Sequence, residues 1–66
     1  MMDPKEIGAR LRMLRGDQTQ QEVADKLGTA VATVGMYERG ERIPRDNVKM
    51  QLAELYGKTV QEIFFD

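Results

Sequence analysis

The chain has 66 residues, with 10 Lys and Arg against 11 Asp and Glu, and contains neither His nor Cys. A domain this short buries only about 60% of its unfolded surface, so a deep substrate pocket would hollow out the core that holds it together. The missing Cys and His remove disulfide frameworks, Cys-based zinc sites and the commonest general base; this argues against an enzyme, and no cofactor or small-molecule substrate is expected.

Hydrophobic residues at 41% and charged residues at 32% suit one compact domain that folds alone. No basic segment followed by an apolar stretch opens the chain. The longest uncharged run, residues 27–37, is too short and too rich in small residues to cross a bilayer, so a cytoplasmic protein with no membrane partner is expected. A formal charge of −1 is no global sign of nucleic acid binding, but the charges are unevenly placed. Lys5, Arg10, Arg12 and Arg15 crowd the first quarter, and Arg39, Arg42, Arg45 and Lys49 a stretch just past the middle. Beyond Met50, Lys58 stands against Glu54, Glu62 and Asp66.

No repeat, linker or run of alternating β-branched residues is visible, and the whole chain reads as short helices. Asp3 can cap a first helix, with Pro4 in its first turn and Glu6 as the far half of a capping box. Ile7, Leu11 and Leu14 repeat at helical spacing as its buried face, and Gly16 and Asp17 end it. Thr19 and Glu22 form a second capping box for a helix with Val23, Ala24 and Leu27 inside, closed by Gly28. A third helix is predicted from about Ala30 or Val31 to Arg39, stopped by Gly40, with Val34 and Tyr37 inward. Asp46 can cap a fourth, in which Val48, Leu52, Leu55 and Tyr56 share a face and Gly57 ends the run. Thr59 and Glu62 make a third capping box for a short last helix carrying Val60, Ile63 and Phe64 inward. Each of the five is too short to be stable without tertiary packing.

Two short helices joined by a tight turn at Gly28 form a helix-turn-helix, a unit whose second helix can lie in the DNA major groove. Ala24 must be small because the next helix crosses over it, and Gly28 permits the positive φ of the turn. Gln20, Ala24, Gly28, Val34 and Tyr37 stand where helix-turn-helix proteins of the Cro and phage-repressor type, the XRE family, usually show Gln, a small residue, Gly, a β-branched residue and an apolar or aromatic one. The chain resembles that family from about Ile7 to Phe65, including Tyr37-Glu38-Arg39-Gly40, the segment from Arg42 to Asp46, and the ending from Gly57 to Phe65. The resemblance implies an all-α, compact five-helix domain of the lambda-repressor type spanning residues 1–66, with the helix-turn-helix at about 20–39. It also implies a structural ion pair between Arg15 and Glu38.

With the third helix as recognition helix, Val31, Ala32, Gly35, Met36 and Arg39 form the stripe that points away from the core. The family usually places Gln, Asn, Ser, Arg or Lys there. Bidentate reading of base edges needs donors or acceptors, and on this stripe only Arg39 carries them, with Thr33 beside it. Reading is therefore expected to rely on thymine methyl groups, on close backbone approach at Gly35, or on DNA shape. Gly35 costs about 1 kcal/mol of helix stability relative to Ala, so its presence calls for a reason. Expected phosphate contacts are Gln20, Thr33, Arg42, Arg45, Lys49 and the free N–H groups at helix starts such as Ala30.

Ile63, Phe64 and Phe65 cannot all face inward on one short helix. Phe65, with Tyr56, is the expected contact with a second copy. The functional expectation is a sequence-specific DNA-binding transcriptional regulator, a repressor by occupancy, acting as a homodimer on a near-palindromic operator in double-stranded DNA. The alternative is a protein-interaction module of the same fold, an antirepressor or antitoxin-like adaptor whose apolar Val31, Ala32 and Met36 face a protein.

Overall fold

A computed structural model describes residues 2–66. Five helices follow one another: α1 (Pro4–Arg15), α2 (Gln20–Leu27), α3 (Val31–Arg39), α4 (Asp46–Tyr56) and a single turn of π-helix, α5 (Gln61–Phe65). Their limits follow from local chemistry. Asp3 Oδ1 accepts from Lys5 N–H at 2.9 Å with Pro4 behind it, and Gly16 at φ 56° closes α1. The expected capping box does not form there, because Asp3 spends its carboxylate on Lys5 while Glu6 stays exposed. At α2 the box closes reciprocally, Glu22 N–H to Thr19 Oγ1 and Thr19 N–H to Glu22 Oε1, each 3.0 Å. Gly28, left-handed at φ 70°, ends α2.

The start of α4 differs from the sequence-based expectation. Arg45, extended after Pro44, takes the cap position without a side-chain bond, and Asp46 is the first helical residue with its carboxylate in solvent. Asp46 thus favours the helix through the positive end of its dipole and not as a cap. The third box does close, Thr59 N–H to Glu62 Oε1 at 2.9 Å and Glu62 N–H to Thr59 Oγ1 at 3.1 Å. These bonds hold the Glu62 carboxyl below its ordinary range, the backbone bond from Thr59 contributing most. The last turn is wider than an α turn, with Asp66 N–H reaching Gln61 C=O. A wide turn lowers the angle between neighbours. Ile63 and Phe64 therefore both enter the core, and Phe65 stays exposed.

The core has two parts. Ile7, Leu11, Tyr37, Leu52, Ala53, Ile63 and Phe64 make the larger, and Val23, Ala24 and Val34 the smaller. Leu27 and Tyr56 pack against both and join them. α1 lies on α3 and α5, and α2 on α3 and α4, so α3 is gripped along its inner side. The grip is closest at Gly8, where a Cβ would stand 2.3 Å from the Glu38 carbonyl oxygen and 2.7 Å from that of Tyr37. Only glycine lets α1 approach the α3 backbone so nearly. The Arg10 guanidinium donates to the Glu62 carbonyl and ties α1 to α5.

Candidate nucleic-acid interface

The helix-turn-helix stands on small residues. Ala24 and Val23 are completely buried beneath α3, and the left-handed Gly28 turns the chain within three residues from α2 into α3. Ala30 opens α3 in extended backbone without a side-chain cap, while its carbonyl accepts from Thr33 and Val34. The amides of Val31 and Ala32 are thus left at the positive end of the helix dipole, where anions are favoured. Val34 and Tyr37 face inward; Val31, Ala32 and Arg39 are exposed, and Thr33 and Met36 half-exposed.

The inner side of the last turn of α3 is held by charge. Arg15 Nε donates to Glu38 Oε2 at 2.8 Å and Arg15 Nη2 to Oε1 at 3.1 Å, a planar two-bond fork. Gln20 Nε2 donates to the same Oε1 at 3.0 Å, and Arg15 Nη1 to the Gln18 carbonyl at 2.7 Å. Glu38 is only 3% exposed in its side chain, and Arg15 16%. The bonds to Glu38 raise the Arg15 guanidinium above its ordinary value against the opposing effect of desolvation. One network therefore joins α1, the loop after it, α2 and α3.

Residues 10–63 match the profile of a helix-turn-helix family, the Cro and phage-repressor type. The chain belongs to this XRE-type helix-turn-helix family. No curated protein and no solved structure matches the chain. XRE-type domains have the fold of DNA-binding transcription regulators, and the all-helical architecture agrees with that membership. No helix among the described residues is long and apolar enough to cross a membrane.

The expected site residues fall into distinct settings. Arg42 and Arg45 are exposed on either side of half-buried Ile43 and buried Pro44, which pin the loop while both guanidiniums stay outside. Gln20 is half-buried, with its amide engaged on Glu38, so it is first a part of the frame. Lys49 departs further from expectation. Its Nζ lies 5.7 Å and 5.5 Å from the ring centroids of Phe64 and Phe65, its side chain is 12% exposed, and it also approaches Asp46. A cation over aromatic faces gains from their quadrupoles, which draws Lys49 to the end of the chain. Tyr56, expected at a dimer contact, is half-buried between the two core parts; burial, followed by the charge of Glu38, raises its hydroxyl above the ordinary value.

Gly35 is not bare helix backbone: it is buried, and the Arg39 guanidinium covers it. Arg39 in turn is held by Glu41, with Nε to Oε2 at 2.9 Å and Nη2 to Oε1 at 3.1 Å. Sequence reasoning missed Glu41 because a lone acid in a loop carries no periodic signal. It missed Gly8 as well, although a glycine inside a predicted helix costs about 1 kcal/mol against Ala and so marks a close approach.

Proposed function

We propose that this domain, spanning the whole of residues 1–66, is a sequence-specific transcriptional regulator that binds a near-palindromic operator as a homodimer and represses by occupying it. The observation that supports this most is the exposed outer face of α3 on a frame locked from behind, flanked by the outward Arg42 and Arg45. Val31, Ala32 and Met36 reach thymine methyl groups. Thr33, Arg42 and Arg45 and the first amides of α3 take phosphates, a sequence-independent role that sets register and affinity. Exposed Phe65 is the contact with the second copy, since two-fold symmetry sets two recognition helices about one DNA turn, ~34 Å, apart.

A second reading has one observation in its favour: with Arg39 paired to Glu41, the outer face of α3 offers mainly the apolar surface of Val31, Ala32 and Met36, as a protein partner would need. One experiment separates the two. Duplexes selected from a random pool are titrated at increasing salt with the wild type, Arg42→Ala and Arg45→Ala. Regulator function predicts a selected motif with two-fold symmetry and an affinity falling steeply with salt. Each substitution should lower the slope of log K against log salt by about 1. Absence of binding even at low salt favours the protein-interaction module.

A further inference from the structure

Arg39 is the single side chain with a fork of donors on the outer face of α3, and its setting is unusual. Side chains on a helix lean back over the preceding turn, so the surface a residue covers lies towards the N-terminus. Here the preceding turn presents Gly35, and the Arg39 guanidinium occupies the space where a side chain would begin: a Cβ at 35 would stand 2.8 Å from Nη1 and 3.6 Å from Cζ. The guanidinium is thereby brought from the end of α3 to its middle. Glu41 grips it from the C-terminal side through Nε and Nη2, one of the two edges on which a guanidinium can make paired bonds. Its other edge, Nη1 with the second N–H of Nη2, meets no acceptor among the described residues.

The Arg39–Glu41 pair is about half exposed on both sides, 58% and 54%, and solvent screens a pair so placed too strongly for it to secure the fold. It orients. The hydrogen bonds between them raise the Arg39 guanidinium above its ordinary value and lower the Glu41 carboxyl below its own. An arginine held by Glu41 on one edge, with the remaining donors of Nη1 and Nη2 unpaired on an exposed side chain, matches the two acceptors N7 and O6 that guanine shows in the major groove.

Resting on the DNA-binding reading above, we infer that Gly35, Arg39 and Glu41 form one base-reading unit: Arg39 reads a guanine with its free edge, Glu41 is the positioning residue that holds it, and Gly35 is the clearance in which it lies. Specificity then has a polar element at the middle of an otherwise apolar stripe. Lysine in place of Arg39 would lack the fork, and alanine in place of Gly35 would displace the guanidinium without touching the fold, because what it meets is the mobile end of a side chain.

Selection from random duplexes, repeated with the wild type, Arg39→Lys, Glu41→Ala, Glu41→Gln and Gly35→Ala, tests the unit. The wild type should select guanine at one position of each half-site. All four variants should lose discrimination at that position, by about tenfold, and leave the other positions and the salt slope unchanged. The same result should appear when that guanine is replaced by 7-deazaguanine, which removes N7 and leaves pairing intact. If Glu41→Ala instead tightens binding uniformly across all sequences, Glu41 only masks Arg39 and the inference is overturned. If the wild type selects a motif whose preferences none of the four variants alters, the inference also fails while the DNA-binding reading stands. If the wild type binds no duplex at low salt, both fall. Circular dichroism of each variant secures that loss of preference is not loss of fold.

Discussion

At the end of α3, consecutive residues face opposite ways and each forms an arginine–glutamate fork, with nearly the same distances and different consequences. Glu38 receives Arg15 at 2.8 and 3.1 Å; Arg39 gives to Glu41 at 2.9 and 3.1 Å. The first fork is almost sealed from water, shares its glutamate with Gln20, and joins elements far apart in sequence. The second is half in solvent and spans two residues. Burial decides what the same bonds do: loss of a partner in the first leaves a charge without water, and in the second exposes it to water already at hand. The glycines repeat the lesson. Beneath Gly8 lies the backbone of α3, which cannot yield, whereas over Gly35 lies the tip of Arg39, which can.

The two largest expected effects, of similar size, are at Gly8 and at the buried fork. Alanine in place of Gly8 sets a methyl against the Glu38 and Tyr37 carbonyls and forces α1 from α3, at about 3 kcal/mol, the upper end of overpacking costs. In a domain whose whole stability is of order 5 kcal/mol, thermal unfolding should shift down by more than about 10 °C. An unchanged midpoint would show that the helices separate freely. Gly35→Ala, run beside it, should leave the midpoint level or slightly higher, since alanine is the better helix former by about 1 kcal/mol.

At the buried fork, Arg15→Met removes the cation and strands Glu38 with Gln20 alone, which should cost about 3 kcal/mol by urea unfolding. Glu38→Gln should cost less. It keeps an acceptor for Gln20, and Arg15 is long and open enough to turn into solvent. Were the two substitutions equal, the asymmetry in burial would have no energetic consequence.

The smallest effect is expected at the exposed fork. Glu41→Gln should leave the unfolding midpoint within experimental error, because a solvated pair adds little to stability. A clear loss of stability there would make both forks structural and would erase the contrast between them.

The local order of the chain was legible before the fold was known, and for reasons that are themselves local. Thr19 with Glu22 and Thr59 with Glu62 are recognisable because a capping box needs only residues three apart. Gly16, Gly28, Gly40 and Gly57 mark the ends of α1 to α4 because only glycine takes a positive φ without strain. Helical spacing located the buried faces, and a family pattern paired Arg15 with Glu38. Asp3 caps α1 as expected, but at Glu6 and Asp46 the same kind of reasoning erred, since the Asp3 carboxylate takes the Lys5 amide and Arg45 holds the cap position of α4.

Tertiary structure alone decided where the long, flexible cations go. Lys49 turned to Phe64 and Phe65 and Arg10 to the Glu62 carbonyl, whereas Arg39 meets its sequence neighbours Gly35 and Glu41. A Lys or Arg side chain reaches many partners from one backbone position, and which it meets depends on surfaces brought together from distant parts of the chain. Sequence by itself determined the helices, their inner faces and the family. The packing of α1 on α3 through Gly8 needed the fold, because it depends on a backbone approach that no spacing of residues encodes.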